Sequence, residues 1–173
     1  AMGSLATKYV NDNLLTFNPE RKVRIRFSLM PVEYSQLLEP NTSTIQERID
    51  AIDKFIEAGY DVHINFSPVI VYPGWLDLYK ELFEQVEKGV QSKHLVKSEV
   101  IFLTHNANKH VHNVSNKIPG EHLLWNPHMQ ETKISQYGGK NIRYEHNLKR
   151  QFIEQFKDLH AQIIPWNTIR YIF

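Results

Sequence analysis

Apolar and polar positions alternate early in the chain, and then the period changes. Val23, Ile25, Phe27 and Leu29 are separated by Arg24, Arg26 and Ser28, a period of two that predicts a strand, with Pro31 ending it. Over Thr44–Ala58 the period lengthens, and Ile45, Ile49, Ile52 and Ile56 fall on one helical face. Ser43 and Thr44 are N-cap candidates with Gln46 or Glu47 three residues on, and Gly59 supplies the stop. Val62–Val71 is rich in apolar and β-branched residues and predicts a strand covered on both faces. Trp75–Lys88 reads as a second helix, with Trp75, Leu78, Tyr79, Leu82, Phe83 and Val86 inward, and Gly89 stops it. Glu99–Thr104 predicts a third buried strand and Asn106–Lys117 a polar helix. Asn147–Ile163 predicts a helix with Leu148, Phe152, Phe156, Leu159 and Ile163 on one face. Thr168–Phe173 predicts a closing strand and Leu5–Val10 a short opening one. Ile118–Asn141, with Pro119, Gly120, Pro127, Gly138 and Gly139, has the weakest pattern and reads as a long irregular stretch.

Strands and helices therefore alternate, which predicts an α/β fold with right-handed crossovers and a mainly parallel sheet. The 173 residues suffice for one domain but not for a closed eight-stranded barrel, which takes roughly 250. An open sheet and a partial barrel both fit. Ala1–Ser4 reads as an expression-vector remnant, leaving 5–173 as a single domain.

Composition narrows the chemistry. No apolar run approaches the roughly 18 residues of a membrane span, and no signal-peptide pattern is visible, so a cytoplasmic location and no membrane partner are expected. The chain has no cysteine, which removes disulfides, thiolate zinc sites and cysteine nucleophiles. A net charge of +1 does not describe a polybasic nucleic-acid binder. Basic residues are clustered, however: Arg21, Lys22, Arg24 and Arg26 early, and Lys133, Lys140, Arg143, Lys149 and Arg150 late. His105, His110 and His112 lack cysteine or carboxylate support at ligand spacing, so they read as polar surface residues and no metal site is expected. Glu39, Glu47, Glu57 and Asp61 form no paired-carboxylate pattern, and phosphate-loop, dinucleotide and nucleophile-elbow motifs are absent.

Several segments in fixed order carry a more specific signal. They are RIRFSLMP (Arg24 to Pro31), LEPNTS (Leu38 to Ser43), EAGYDV (Glu57 to Val62), INFSPVIV (Ile64 to Val71) and PGW (Pro73 to Trp75). Together they resemble the C-terminal half of the spore photoproduct lyase family, radical S-adenosylmethionine enzymes that repair a thymine dimer in DNA. The likeness extends through EVIFLTHNANKHVHNV (Glu99 to Val114) and the final IRYIF (Ile169 to Phe173).

The resemblance implies a fold that is the C-terminal half of a partial TIM-type (β/α) barrel, with a β-hairpin and a C-terminal helix and strand. It implies S-adenosylmethionine contacts at Lys8, Ser28 and Ser67. It implies a DNA-facing hairpin over 129–145, with Lys133, Gln136, Tyr137, Lys140 and Arg143 toward DNA and Tyr137 as the catalytic candidate. The family tryptophan and arginine of that hairpin are Ile134 and Gln136 here. The family's [4Fe–4S] cluster sits on three cysteines, so it would come from a missing N-terminal half or a separate subunit. The alternative is a cluster-free nucleic-acid-binding or protein-interaction module that keeps the fold without the chemistry. An isolated half-barrel is also expected to leave sheet edges and an apolar inner face open, favouring a homodimer.

Overall fold

The structure, a computed structural model, describes residues 3–134 and 138–173. Five strands form a parallel sheet: β1 (Gly3–Thr7), β2 (Val23–Leu29), β3 (Asp61–Val69), β4 (Lys97–Phe102) and β8 (Thr168–Ile172). They are ordered β1-β2-β3-β4-β8, so each strand of this sheet lies parallel beside the next one along the chain. The α/β class and parallel sheet are as expected. β1 begins inside the stretch read as a leader, pairing Gly3 with Val23.

Between the strands run α1 (Val32–Leu38), α2 (Ile45–Glu57), α3 (Trp75–Gly89) and α6 (His146–Ile163). Thr44 caps α2 through a complete capping box: its hydroxyl accepts from the Glu47 amide while the Glu47 carboxylate accepts from the Thr44 amide. Gly59, at φ +96°, ends that helix in a conformation a Cβ would strain. α1 has no counterpart in the sequence reading, which treated Pro31 only as a strand end. Pro31 is in fact the N-cap of α1.

The core is built by one face of the sheet against the helices. Phe27 of β2 meets Phe55 of α2 at 5.3 Å between ring centres. Phe66 of β3 meets Phe83 of α3, also at 5.3 Å, and Phe102 of β4 meets Phe156 of α6 at 6.1 Å. All six side chains are buried.

After β4 the chain leaves this sheet. The expected strand Glu99–Thr104 is split: β5 (Thr104–Asn106) joins a second, antiparallel sheet with β6 (Gln130–Ile134) and β7 (Lys140–Tyr144), in the order β5-β7-β6. Between them lie α4 (Ala107–Ser115), capped by the Asn106 side chain, and the short α5 (Glu121–Leu124). The weak-pattern stretch thus contains a helix and a hairpin strand. Its strands alternate without a long apolar face, which explains the faint periodicity. The second sheet is fastened to the core by Tyr144, whose buried hydroxyl accepts from the Val71 amide at 2.7 Å. Among the described residues no helix is long and apolar enough to cross a membrane.

Candidate functional site

The carboxyl ends of β1 to β4 open on a cavity of about 700 Å³ whose wall includes Lys8, Met30, Glu39, Pro68, Leu103 and His105. In parallel sheets this end collects ligands, because each loop there starts from a rigid strand. Lys8 follows β1 and Met30 follows β2. Pro68 closes β3, and Leu103 links β4 to β5.

Lys8 is held from below. Its ammonium is 2.7 Å from the Glu39 carboxylate, which is itself only 1% exposed, while the Lys8 side chain is 44% exposed at the rim. Glu39 in turn is fixed by Arg48, a fully buried residue of α2. The Arg48 guanidinium donates to Glu39 Oε2 at 2.8 Å, to the Ser28 and Ser43 carbonyls at 2.8 Å, and to Thr42 Oγ1 at 2.7 Å. A fixed fork of donors suits this task, since one guanidinium serves several acceptors at once. Ser43 completes the tie: its hydroxyl accepts from the Val10 amide at 2.9 Å, and its amide donates to the Lys8 carbonyl. Sequence reasoning missed Arg48 and gave Glu39 no role. The readable signal was an arginine placed on the isoleucine face of an amphipathic helix.

The predicted cofactor residues are placed unequally. Lys8 lines the cavity. Ser28 is buried on β2 opposite Asn65, and its carbonyl belongs to the Arg48 cluster. Ser67 stands at the end of β3, next to the lining residue Pro68. Neither serine is among the residues lining the cavity.

The sheet face opposite the helices corrects an expectation. It is charged, not apolar. Arg24 pairs with Asp61 at 2.8 Å, Arg26 with Glu99 at 3.0 Å, and Arg170 with Glu99 at 2.8 Å. Tyr171 also donates to Glu99, and His63 lies between Asp61 and Glu99. Burial alone would raise the Glu99 carboxyl, but hydrogen bonds from Tyr171 and Arg26 hold it below the usual carboxylate range. Burial and neighbouring Arg24 lower His63 and favour its neutral form. The period-two pattern had marked Arg24 and Arg26 as one face. The run beginning at Val62 was read as covered on both faces, and both are buried, but by different contacts. Val62, Ile64 and Phe66 meet the helices, while Asp61, His63 and Asn65 share the charged face by register with Arg24, Arg26 and Ser28.

The hairpin β6–β7 divides the expected DNA residues. Glu131 and Lys133 pair across with Arg143 and Asn141, so they share one face. Lys140, opposite Ile134, is on the other. Lys133 and Arg143 line a second cavity, of about 450 Å³, together with Lys149 of α6 and Phe173. Burial, and then the nearby Arg143 and Lys133 charges, lower the Lys149 pKa. Arg143 is tethered to Glu131 at 2.8 Å. Gln136 and Tyr137 lie outside the described residues.

The histidines also depart from expectation. His105 is buried and His110 half-buried, and both meet the carboxylate of Glu121, which comes from α5. Of these three, only His112 is exposed. The supporting carboxylate was invisible in sequence because Glu121 is brought in by the fold rather than by helical spacing.

Comparison with known proteins agrees with the architecture. The family model described as "Spore photoproduct lyase" matches residues 3–173. The chain belongs to the spore photoproduct lyase family. It is 29% identical over 153 residues to the spore photoproduct lyase of Bacillus subtilis (strain 168), a match covering 85% of this chain and 44% of that protein. It is 26% identical over 167 residues to the enzyme of Geobacillus sp. (strain Y412MC61), covering 95% and 49%. A mutant spore photoproduct lyase with bound AdoMet and dinucleoside spore photoproduct superposes with a TM-score of 0.87 at 23% identity, covering 98% of this chain and 51% of that one. The chain therefore spans about half the length of the spore photoproduct lyases it matches. Its residues do not fit an iron–sulfur cluster, since none of them is a cysteine.

Proposed function

We propose that this chain forms one wall of the S-adenosylmethionine site, and part of the DNA-facing surface, of a spore photoproduct lyase-like repair protein built on a partial TIM-type barrel. The observation that carries the proposal is the cavity at the carboxyl ends of four neighbouring parallel strands, with Lys8 held at its rim by Glu39. The relative solved with AdoMet and a dinucleoside lesion shares this fold. The Lys8 ammonium offers an ion-pair partner to the carboxylate of the cofactor's amino-acid moiety. Ser28 and Ser67 set the backbone at the ends of β2 and β3 against which that moiety lies. Bound S-adenosylmethionine would supply the radical chemistry with which the family's repair reaction starts. The cluster thiolates would come from polypeptide beyond these residues, so the chain alone is inactive in this reading.

Lys133 and Arg143 of the hairpin and Lys149 of α6 line one cavity, and Phe173 is 56% exposed beside them. Basic groups neutralise phosphates, and an open aromatic ring can stack on an unpaired base. Lys140, on the opposite face, Gln136 and Tyr137 complete the proposed DNA side. A gel-shift titration with duplex containing or lacking the thymine lesion tests this half of the proposal. Preference for the lesion is expected, and Lys149→Gln should lower the slope of log K against log salt by about 0.9, one phosphate contact. Equal binding to both duplexes would remove the lesion-facing role, and an unchanged slope would remove Lys149 from the phosphate surface. The cofactor half is tested by mapping where S-adenosylmethionine perturbs the chain.

A further inference from the structure

We infer that His105, His110 and Glu121 form a binding site for one divalent transition-metal ion, with zinc the ion it fits best. Three elements converge to make it: β5 brings His105, α4 brings His110 and α5 brings Glu121. Glu121 Oε1 is 2.8 Å from His105 Nε2 and 2.5 Å from His110 Nδ1. The three ligand atoms lie within 4.8 Å of one another. Two imidazoles and one carboxylate are a donor set that zinc takes with a fourth position left open.

Each ligand is oriented by a further contact, as metal ligands generally are. The second Glu121 oxygen accepts from Asn113 Nδ2 at 2.6 Å. The His110 ring is stacked on Trp125 at 3.8 Å, with 5° between planes. His105 is pinned in β5, whose register pairs it with Ile142. Gly120, at φ +82°, turns the chain so that Glu121 enters the cluster, and a Cβ there would come within 2.6 Å of Leu38.

Access is also provided. His105 and Asn113 line the cavity of about 700 Å³ that Lys8 borders, so an ion has an entry path and its open position faces a ligand-sized space. Without metal, both ring nitrogens donate to the same oxygen. A tetrahedral ion with bonds of about 2.0–2.1 Å spaces its ligands roughly 3.3 Å apart, so binding lengthens the two contacts to the carboxylate by roughly 0.5 and 0.8 Å. Each imidazole then presents an unprotonated nitrogen and keeps its proton on the other one.

The probe is Zn²⁺ titrated calorimetrically into tag-free, chelator-treated full chain, with Co²⁺ absorption as the spectroscopic readout. A saturable one-to-one isotherm, four- or five-coordinate Co²⁺ bands, and a melting point that rises with zinc are expected. His110→Gln and Glu121→Gln should each weaken binding by at least roughly 100-fold, and Asn113→Ala, a positioning change, by roughly 10–100-fold. His112→Gln should change nothing. Because a variant could lose its fold, each is checked by circular dichroism without metal, and the zinc-dependent melting shift of the unaltered chain stands as a variant-free measurement. Absence of a one-to-one isotherm and of any melting shift would overturn the assignment. So would zinc binding that persists undiminished in a folded His105→Gln/His110→Gln double variant.

Discussion

Replacing Arg48 by methionine is expected to lower stability by about 3–5 kcal/mol, a fall in melting temperature of roughly 6–20 °C for a chain of this size. The reason is the charge left behind. Arg48 is 0% exposed and its partner Glu39 1%, so removing the guanidinium strands a carboxylate in the interior with only Lys8 to answer it. The Ser28 and Ser43 carbonyls and the Thr42 hydroxyl lose a donor at the same time. Buried groups without partners carry a large desolvation cost. The double variant Arg48→Met/Glu39→Leu should recover much of the loss, since removing both charges is often near neutral. It should also release Lys8 from its anchored position at the cavity rim. Thermal denaturation followed by circular dichroism measures both variants. A single variant as stable as the parent, or a double variant worse than the single by the full cost of Glu39, would contradict this account.

Phe156→Ala should cost about 3–5 kcal/mol, the usual range for emptying a fully buried aromatic site. Phe156 is 0% exposed and lies 5.3 Å from Phe83, 5.5 Å from Tyr79, 5.8 Å from Phe66 and 6.1 Å from Phe102 between ring centres. It and His160 are the buried residues of the 18-residue α6, so this ring is the centre of the face that docks the helix. Removing it should loosen α6, and with it Lys149 in the basic groove. Urea denaturation gives the free energy, and hydrogen exchange along α6 should rise more than in α2. A loss of less than about 1 kcal/mol would mean that the half-buried residues Phe152, Leu159 and Ile163 hold the helix.

Elements with a strong apolar stripe were legible in the sequence. The isoleucine face of α2, its capping box and the phenylalanine-bearing helices α3 and α6 all appear close to the expected positions. The family resemblance rested on segments in β2 and β3, the turn before α2 and the entry to α3, and the family match bears it out. What could not be read depends on contacts between distant residues. Arg48 reaches Ser28 and Glu39 across the sequence. Glu99 collects Arg26 and Arg170 from strands far apart in the chain. Glu121 joins His105 and His110 only because a left-handed glycine turns the chain there. Charge pairing hid these residues, since a buried polar residue looks the same in sequence as an exposed one. The same blindness produced the apolar inner face that the structure replaces with ion pairs, and it removes the hydrophobic reason for expecting a homodimer.

The strand-end cavity beside Lys8 is the proposed cofactor wall. Its most direct test is a titration of isotopically labelled chain with S-adenosylmethionine, followed by two-dimensional NMR. The account predicts saturable shifts in the amides of Lys8, Met30, Glu39 and Leu103 at the cavity, reduced when Lys8 is replaced by alanine. Saturable shifts confined to another surface, or none at any cofactor concentration reached, would contradict it.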